Sequence, residues 1–308
     1  MQVLNQNDVK IYSLSQGKTL PEFISDKKRR ALLKSDGELR RRIQLIQDFD
    51  MPTATQILKF SPDKKFILTA GTYKPRIRCY DTKSLSMKWE RFQDTDVNDL
   101  EILSNDWQKL AVLQNDRVIQ FHSADGRYHE IKIPRFGRKL LLDRSTCELY
   151  IPSDQNLVYR FSLDAGRFLE PLESKLSSDI ECIIQNRESG LVITGSKNGI
   201  VECWDPRIRK SVAVHQSQSD VIAEFGDDIL DDHKNSMQSQ NQEIEDVVSV
   251  TALATSPDSA LDLAVGFSTG HVFLYDIRSS KPKLGKDLRY GLPVKSIKYV
   301  NGGAENER

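Results

Sequence analysis

The chain has 308 residues, with 44 Lys+Arg against 44 Asp+Glu, a formal net charge of +0 and 38% hydrophobic residues. A zero sum argues neither for nor against a nucleic-acid partner, so the placement of the charges matters more than their total. No apolar run approaches the ~18 residues of a membrane span, no charged-then-apolar leader opens the chain, and Cys79, Cys147, Cys182 and Cys203 show no CxxC spacing, which favours a reducing compartment over a disulfide scaffold.

In chain order, Val9 to Leu14, within residues 1–20, reads as a closing strand. Residues 21–51 follow as a basic amphipathic helical segment. Its middle, 27–42, holds Lys27, Lys28, Arg29, Arg30, Lys34, Arg40, Arg41 and Arg42, eight basic side chains, against Asp36 and Glu38. Leu32, Leu39, Ile43 and Ile46 recur at offsets of seven, four and three, which puts them on one helical stripe. Gly37 weakens or splits that helix. A basic amphipathic segment can bind a phosphate backbone, serve as a nuclear import signal, or lie on acidic protein. A solvated helix packed through its Leu/Ile stripe accounts for the same pattern.

From residue 52 to 308 the chain repeats. Gly71-Thr-Tyr-Lys-Pro-Arg-Ile-Arg-Cys-Tyr-Asp81, Gly195-Ser-Lys-Asn-Gly-Ile-Val-Glu-Cys-Trp-Asp205 and Gly266-Phe-Ser-Thr-Gly-His-Val-Phe-Leu-Tyr-Asp276 share one signature. Degenerate copies end at Ser123 and Leu163, so positions 81, 123, 163 and 205 are separated by steps of 42, 40 and 42. A fixed period of roughly 40–45 residues, with a strand ending in aromatic-Asp, marks WD40-type propeller blades. Each unit opens on an apolar strand such as Ile57-Leu-Lys-Phe60 and turns at a motif such as Ser61-Pro-Asp-Lys64. Its second and most apolar strand, such as Leu110-Ala-Val-Leu113, comes next, then the aromatic-Asp strand and an outer strand. A β-sandwich has no reason to repeat a four-strand unit at constant spacing. The expectation is therefore all-β, a WD40-type β-propeller with blades at 53–92, 96–133, 137–170, 178–215 and 247–286.

The step from 205 to 276 is 71, one blade plus about thirty residues, and it contains an acidic insertion, 220–246. That stretch has nine acidic residues, with Lys234 as its only Lys or Arg, and is expected to be a disordered loop between blades. The other reading is an acidic docking peptide for a basic partner. Val294-Lys-Ser-Ile-Lys-Tyr-Val300 starts a sixth repeat, within which the chain ends.

His122, His129, His215, His233 and His271 are scattered without metal-ligand spacing, and no phosphate-cradling loop or nucleophile elbow is present. These residues point to a non-catalytic binding scaffold without cofactor, metal, small-molecule substrate or membrane. Cys79 and Cys203 share one slot of the repeat, where a small thiol packs between sheets. Lys74, Arg76, Arg135 and Arg138 lie beside Gly and Pro, off the strand interiors, and are candidates for a contact patch alongside the basic segment.

Lys27-Lys-Arg-Arg-Ala31, Arg40-Arg-Arg-Ile43 with Leu45-Ile-Gln-Asp-Phe49, Gly71-Thr-Tyr-Lys-Pro-Arg76, Ile133-Pro134 with Phe136-Gly-Arg138, Val201-Glu-Cys-Trp-Asp-Pro-Arg207 and Tyr290-Gly-Leu-Pro293 occur in this order. Together they resemble the amino-terminal propeller of the nucleolar protein 10 family, called essential nuclear protein 2 in yeast. The resemblance implies a nucleolar assembly factor of the small-subunit processome, in which 18S ribosomal RNA is excised. It also implies partners among other processome proteins and particles containing pre-rRNA or snoRNA. Members of that family close a seven-bladed ring, so this chain is expected to be a piece with an open sheet edge. In the closed ring Val9 to Leu14 would pair with the final blade. A second reading comes from Trp204-Asp-Pro-Arg207, which matches the Trp-Asp-x-Arg pattern of WD40 substrate receptors in cullin-type ubiquitin ligases.

Overall fold

Alternation of apolar and polar residues, interrupted by Ser, Pro, Asp and Gly turns, folds this chain into short antiparallel strands. A computed structural model describes residues 2–6, 9–13, 24–37, 44–47, 51, 54–83, 86–174, 178–225, 248–257 and 259–299. First come β1 (Gln2–Gln6), β2 (Val9–Ser13), α1 (Asp26–Ser35) and β3 (Gln44–Gln47), the strands joined in the order β1-β2-β3. Five four-stranded sheets follow. The first is β4 (Thr55–Phe60), β5 (Phe66–Gly71), β6 (Arg76–Asp81) and β7 (Ser86–Phe92). Next is β8 (Val97–Ile102), β9 (Leu110–Gln114), β10 (Val118–Ser123) and β11 (Gly126–Lys132), and then β12 (Leu141–Asp143), β13 (Glu148–Pro152), β14 (Leu157–Ser162) and β15 (Arg167–Glu173). The last two are β16 (Ile180–Gln185), β17 (Val192–Ser196), β18 (Val201–Asp205) and β19 (Lys210–His215), and β20 (Val250–Thr255), β21 (Asp262–Phe267), β22 (His271–Asp276) and β23 (Pro282–Asp287). Each sheet lies where the repeat places a blade. By its contacts the chain divides into two compact units, residues 1–97 with 102–110 and 122–126, and residues 98–101 with 111–121 and 127–308.

The repeat is visible at the level of single bonds. In the first hairpin Ser61 Oγ donates to Asp63, and the Phe66 N–H donates to Ser61 Oγ at 3.0 Å. Ser104 and Asp106 build the same turn, with Ser104 Oγ donating to Asp106 Oδ1 at 2.7 Å and Lys109 N–H donating back at 3.1 Å. After the aromatic, the Asp carboxylate accepts from the N–H two residues on: Lys83 to Asp81 at 2.9 Å, Arg207 to Asp205 at 2.9 Å and Arg278 to Asp276 at 3.0 Å. An Asp side chain satisfying its own turn explains why aromatic-Asp closes these strands. Between third and fourth strands the register slips by one residue beside the aromatic. Cys79↔Trp89 is followed by Tyr80↔Met87, Cys203↔Ala213 by Trp204↔Ser211, and Leu274↔Leu284 by Tyr275↔Pro282.

Packing follows from the apolar second strands, with every residue of β9 and β17 buried. Within the second unit, Trp204 is 2% exposed among Tyr150, Val158, Leu172, Ile180 and Val192. A larger cluster joins Cys182, Ile193, Val201 and Cys203 to Val250, Val265, Phe267, Phe273 and Tyr275. A Cβ at Gly195 would sit 2.5 Å from Cys182 Sγ and from Val250 Cγ1, so the repeat glycine there is set by the close approach of two sheets. Cys79 and Cys203 are both fully buried, as their shared slot predicts.

The strand expected at Val9 forms and, within this chain, pairs with β1 and β3. Three other expectations change. The helix of residues 21–51 is shorter than its stripe: α1 ends at Ser35, Leu32 is 38% exposed, and Ile46 belongs to β3. Leu39 and Ile43 lie outside the described residues. The insertion 220–246 is not loop throughout, because residues 217–225 are helical. Val221 there is fully buried, Tyr275 Oη donates to Asp220 Oδ2 at 3.0 Å, and the Phe225 ring lies 4.5 Å from that of His271. Residues 226–247 are outside the described residues. The segment 291–299 forms no strand, yet Val294 is 8% exposed and its carbonyl accepts from Thr251 Oγ1 at 2.7 Å.

Candidate functional site

The basic candidates divide by how firmly their surroundings hold them. On α1, Lys27, Lys28, Arg30 and Lys34 are all exposed. The side chain of Arg29, and Arg40, Arg41 and Arg42 altogether, lie outside the described residues. Lys34, in the last turn of α1, is placed where a cation complements the helix carbonyls.

The turn between β5 and β6 carries Tyr73 and Lys74 in left-handed conformation, φ 66° and 61°, with Tyr73 85% exposed and Lys74 exposed beside it. Arg76 behaves differently from its sequence reading. It starts β6, and its Nη1 donates to Glu90 Oε1 at 3.0 Å while Arg78 Nε donates to the same oxygen at 2.8 Å. Burial alone would raise the Glu90 carboxyl, but Arg78 and Arg76 outweigh it and hold the group below its usual range. Arg76 is therefore part of a cross-strand ion pair rather than a free loop cation.

Arg135 and Arg138 are exposed and share the loop 133–140, between β11 and β12. Backbone bonds fasten that loop on several sides. Ile133 N–H donates to Arg117 O at 2.8 Å, Arg138 N–H to Pro152 O at 2.9 Å, and Asp154 N–H to Phe136 O at 3.1 Å. Asn98 Nδ2 donates to Gly137 O at 3.1 Å, and Leu140 N–H donates to Asp99 Oδ2 at 2.9 Å. A Cβ at Gly137 would meet Ile151 Cγ2 at 2.9 Å, so only glycine lets the loop lie this close to its neighbours. Between the two arginines Phe136 stays 46% exposed, and the Arg117 guanidinium stands 5.5 Å from its ring centre. Arg117 Nη1 also donates to Pro134 O at 3.2 Å. Phe136 and Arg117 are absent from the sequence candidates. The signal in Pro134-Arg-Phe-Gly-Arg138 is an aromatic between two arginines, while Arg117 enters from another strand pair and has no signal nearby.

Trp204-Asp-Pro-Arg207 serves the blade itself. Trp204 is buried, its Nε1 donates to Thr194 Oγ1 at 3.1 Å, and Asp205 caps the Arg207 N–H. Among the described residues no three His, Cys, Asp or Glu side chains gather where a metal ion would be held. Burial pushes the thiols of Cys79, Cys182 and Cys203 up to about 12, away from nucleophilic use. No helix among the described residues is long and apolar enough to cross a membrane.

Comparison with known proteins gives this geometry a context. The family described as "Nucleolar protein 10-like, N-terminal domain" matches residues 2–307. Nucleolar protein 10 of Rattus norvegicus is 48% identical over 299 residues, 97% of this chain and 41% of that protein. The human protein of the same name is 47% identical over the same shares, 97% and 41%. Ribosome biogenesis protein ENP2 of Saccharomyces cerevisiae is 36% identical, covering 98% of this chain and 40% of that protein. The chain thus spans about two fifths of the relatives it matches. The crystal structure of the RRP9 WD40 repeats aligns with a TM-score of 0.58 at 16% identity, covering 77% of this chain and 64% of that one. At that identity the likeness concerns fold alone, and the fold is a WD40-type β-propeller.

Proposed function

The chain belongs to the nucleolar protein 10 family, and on that premise we propose that it works as a non-catalytic scaffold in assembly of the small ribosomal subunit. The observation that carries the reading is the 36% identity, over 98% of the chain, to a yeast protein whose name states ribosome biogenesis. The family name places these proteins in the nucleolus. Exposed cations on α1, and separately those on the loop 133–140, each suit contact with an acidic protein surface or with RNA. The step from ribosome biogenesis to 18S maturation rests on the sequence resemblance to processome proteins, and so do the processome partners.

The test is depletion of the full-length protein followed by analysis of ribosomal RNA precursors. Loss of 18S maturation, with large-subunit RNAs intact, is the expected outcome. Normal 18S processing, or equal loss of both subunits' RNAs, refutes the small-subunit assignment.

A further inference from the structure

The loop 133–140 combines three properties that surface loops seldom combine. Its charge is one-sided: residues 132–139 include Lys132, Arg135, Arg138 and Lys139 and no acidic residue. Its apolar element is an aromatic ring, 46% exposed at Phe136 and not folded away under the loop. Its backbone is fixed before any partner arrives, by the bonds to Arg117, Pro152, Asp154 and Asn98. A solvated basic loop needs only the first property. A protein-docking loop gains from apolar area, but the sole exposed large hydrophobic in this loop is Phe136.

We propose that this loop is a binding site for single-stranded RNA, with one base stacked on Phe136 and the flanking phosphates held by Arg135 and Arg138. Every base offers a π-face, so an aromatic ring among cations binds single strands with little demand on sequence. Arg117 stands over one face of the ring, 5.5 Å from its centre, and supports the platform from within the fold, so the base takes the other face. The pinned backbone reduces the ordering cost on binding, the usual gain from preorganisation. A duplex hides its base faces, so it reaches only the phosphate contacts. The choice of RNA over DNA rests on the ribosome-biogenesis reading; the stacking geometry does not.

The experiment titrates full-length protein into a short fluorescein-labelled oligoribonucleotide of mixed sequence, as single strand and as duplex, across a range of salt. Preference for the single strand is expected. Phe136→Ala is expected to weaken that binding about 5- to 140-fold with the salt slope unchanged. Arg135→Ala with Arg138→Ala is expected to lower the slope by about 1.4, two phosphates at about 0.7 each. Phe136 is half exposed, so its variant keeps the wild-type melting temperature, which separates lost binding from lost fold. Unchanged affinity in Phe136→Ala, or equal affinity for single strand and duplex, overturns the site. A photoreactive residue at position 136 that crosslinks only to protein in purified particles also overturns it. Failure of the site appears in the purified variant, whereas failure of the ribosome-biogenesis reading appears in precursor RNA after depletion; neither result produces the other.

Discussion

Replacing Trp204 by Ala tests the blade architecture most directly. The ring is 2% exposed and packs among Tyr150, Val158, Leu172, Ile180 and Val192. A buried aromatic withdraws about 150–250 Å² from water, which at about 25 cal/mol per Å² is about 4–6 kcal/mol of transfer. Alanine keeps part of that, partial collapse recovers some, and the cavity left behind adds back; about 3–5 kcal/mol is the expected net loss. Trp204→Phe separates packing from polarity. It keeps most of the ring but removes the donor to Thr194 Oγ1, 3.1 Å away, for about 1–2 kcal/mol. Adding Thr194→Val should then cost less than in the wild type, because the hydroxyl has already lost that partner. Equilibrium unfolding in guanidinium, followed by far-UV circular dichroism, reads all five proteins, wild type and Thr194→Val alone included, with constant m-values confirming a shared unfolding transition. A loss below about 1 kcal/mol for Trp204→Ala would mean the ring does not anchor its blade, and the core reasoning fails.

Removing Glu90 leaves Arg76 and Arg78 partly buried without their shared carboxylate, so Glu90→Ala should cost about 1–3 kcal/mol by the same unfolding assay. Because Glu90 titrates below its ordinary 4.5, its contribution is fully present above that pH and is lost as pH falls through the folded value. His215 gives a second pH window. Burial lowers it, against the opposing Ile277 carbonyl and Asp220, so the unfolded chain takes up the proton first and stability falls as pH drops below 6.5. His215→Gln should flatten that slope in urea midpoints measured on either side of the transition. Reversing Arg40, Arg41 and Arg42 to Glu should leave the melting temperature unchanged while weakening particle association and its salt dependence. Unaltered sedimentation with pre-ribosomal particles would leave these arginines with solvation as their only role.

The five blades were legible because their signal is periodic and redundant. Aromatic-Asp, the Ser-Pro-Asp turn and the apolar second strand each mark the same repeat, so an error in one is corrected by the others. Where the sequence offers one weak cue, local chemistry misleads. Leu32, Leu39, Ile43 and Ile46 satisfy a helical period, yet Ile46 pairs with Ile11 across β2 and β3 because a strand partner outweighs propensity. In residues 217–225 only Val221 and Phe225 show the i, i+4 spacing of an apolar face, and the surrounding carboxylates mask it. Arg76 reads as a loop cation until its partner is known, and Glu90 stands fourteen residues away on the next strand. The platform at Phe136 is half legible: two arginines are conspicuous, but the ring's exposure and Arg117 depend on how the chain returns to the loop.

The one-residue slip between third and fourth strands has a consequence for how the blades diversify. It leaves Lys88, Val212 and Lys283 without a cross-strand partner, each on an outer strand opposite the aromatic. Their chemistries have little in common. Lys88 Nζ lies 4.6 Å from the Phe66 ring centre and 4.8 Å from that of Trp107; Val212 is 61% exposed; and Lys283 Nζ reaches Asp262 at 2.6 Å and Asp276 at 3.6 Å. Each extra residue stands outside the pairing ladder, so what fixes it is the contact its own side chain makes. Val212, exposed at its slip, is therefore the position at which a fluorophore or crosslinker can be attached while the blade keeps its alignment.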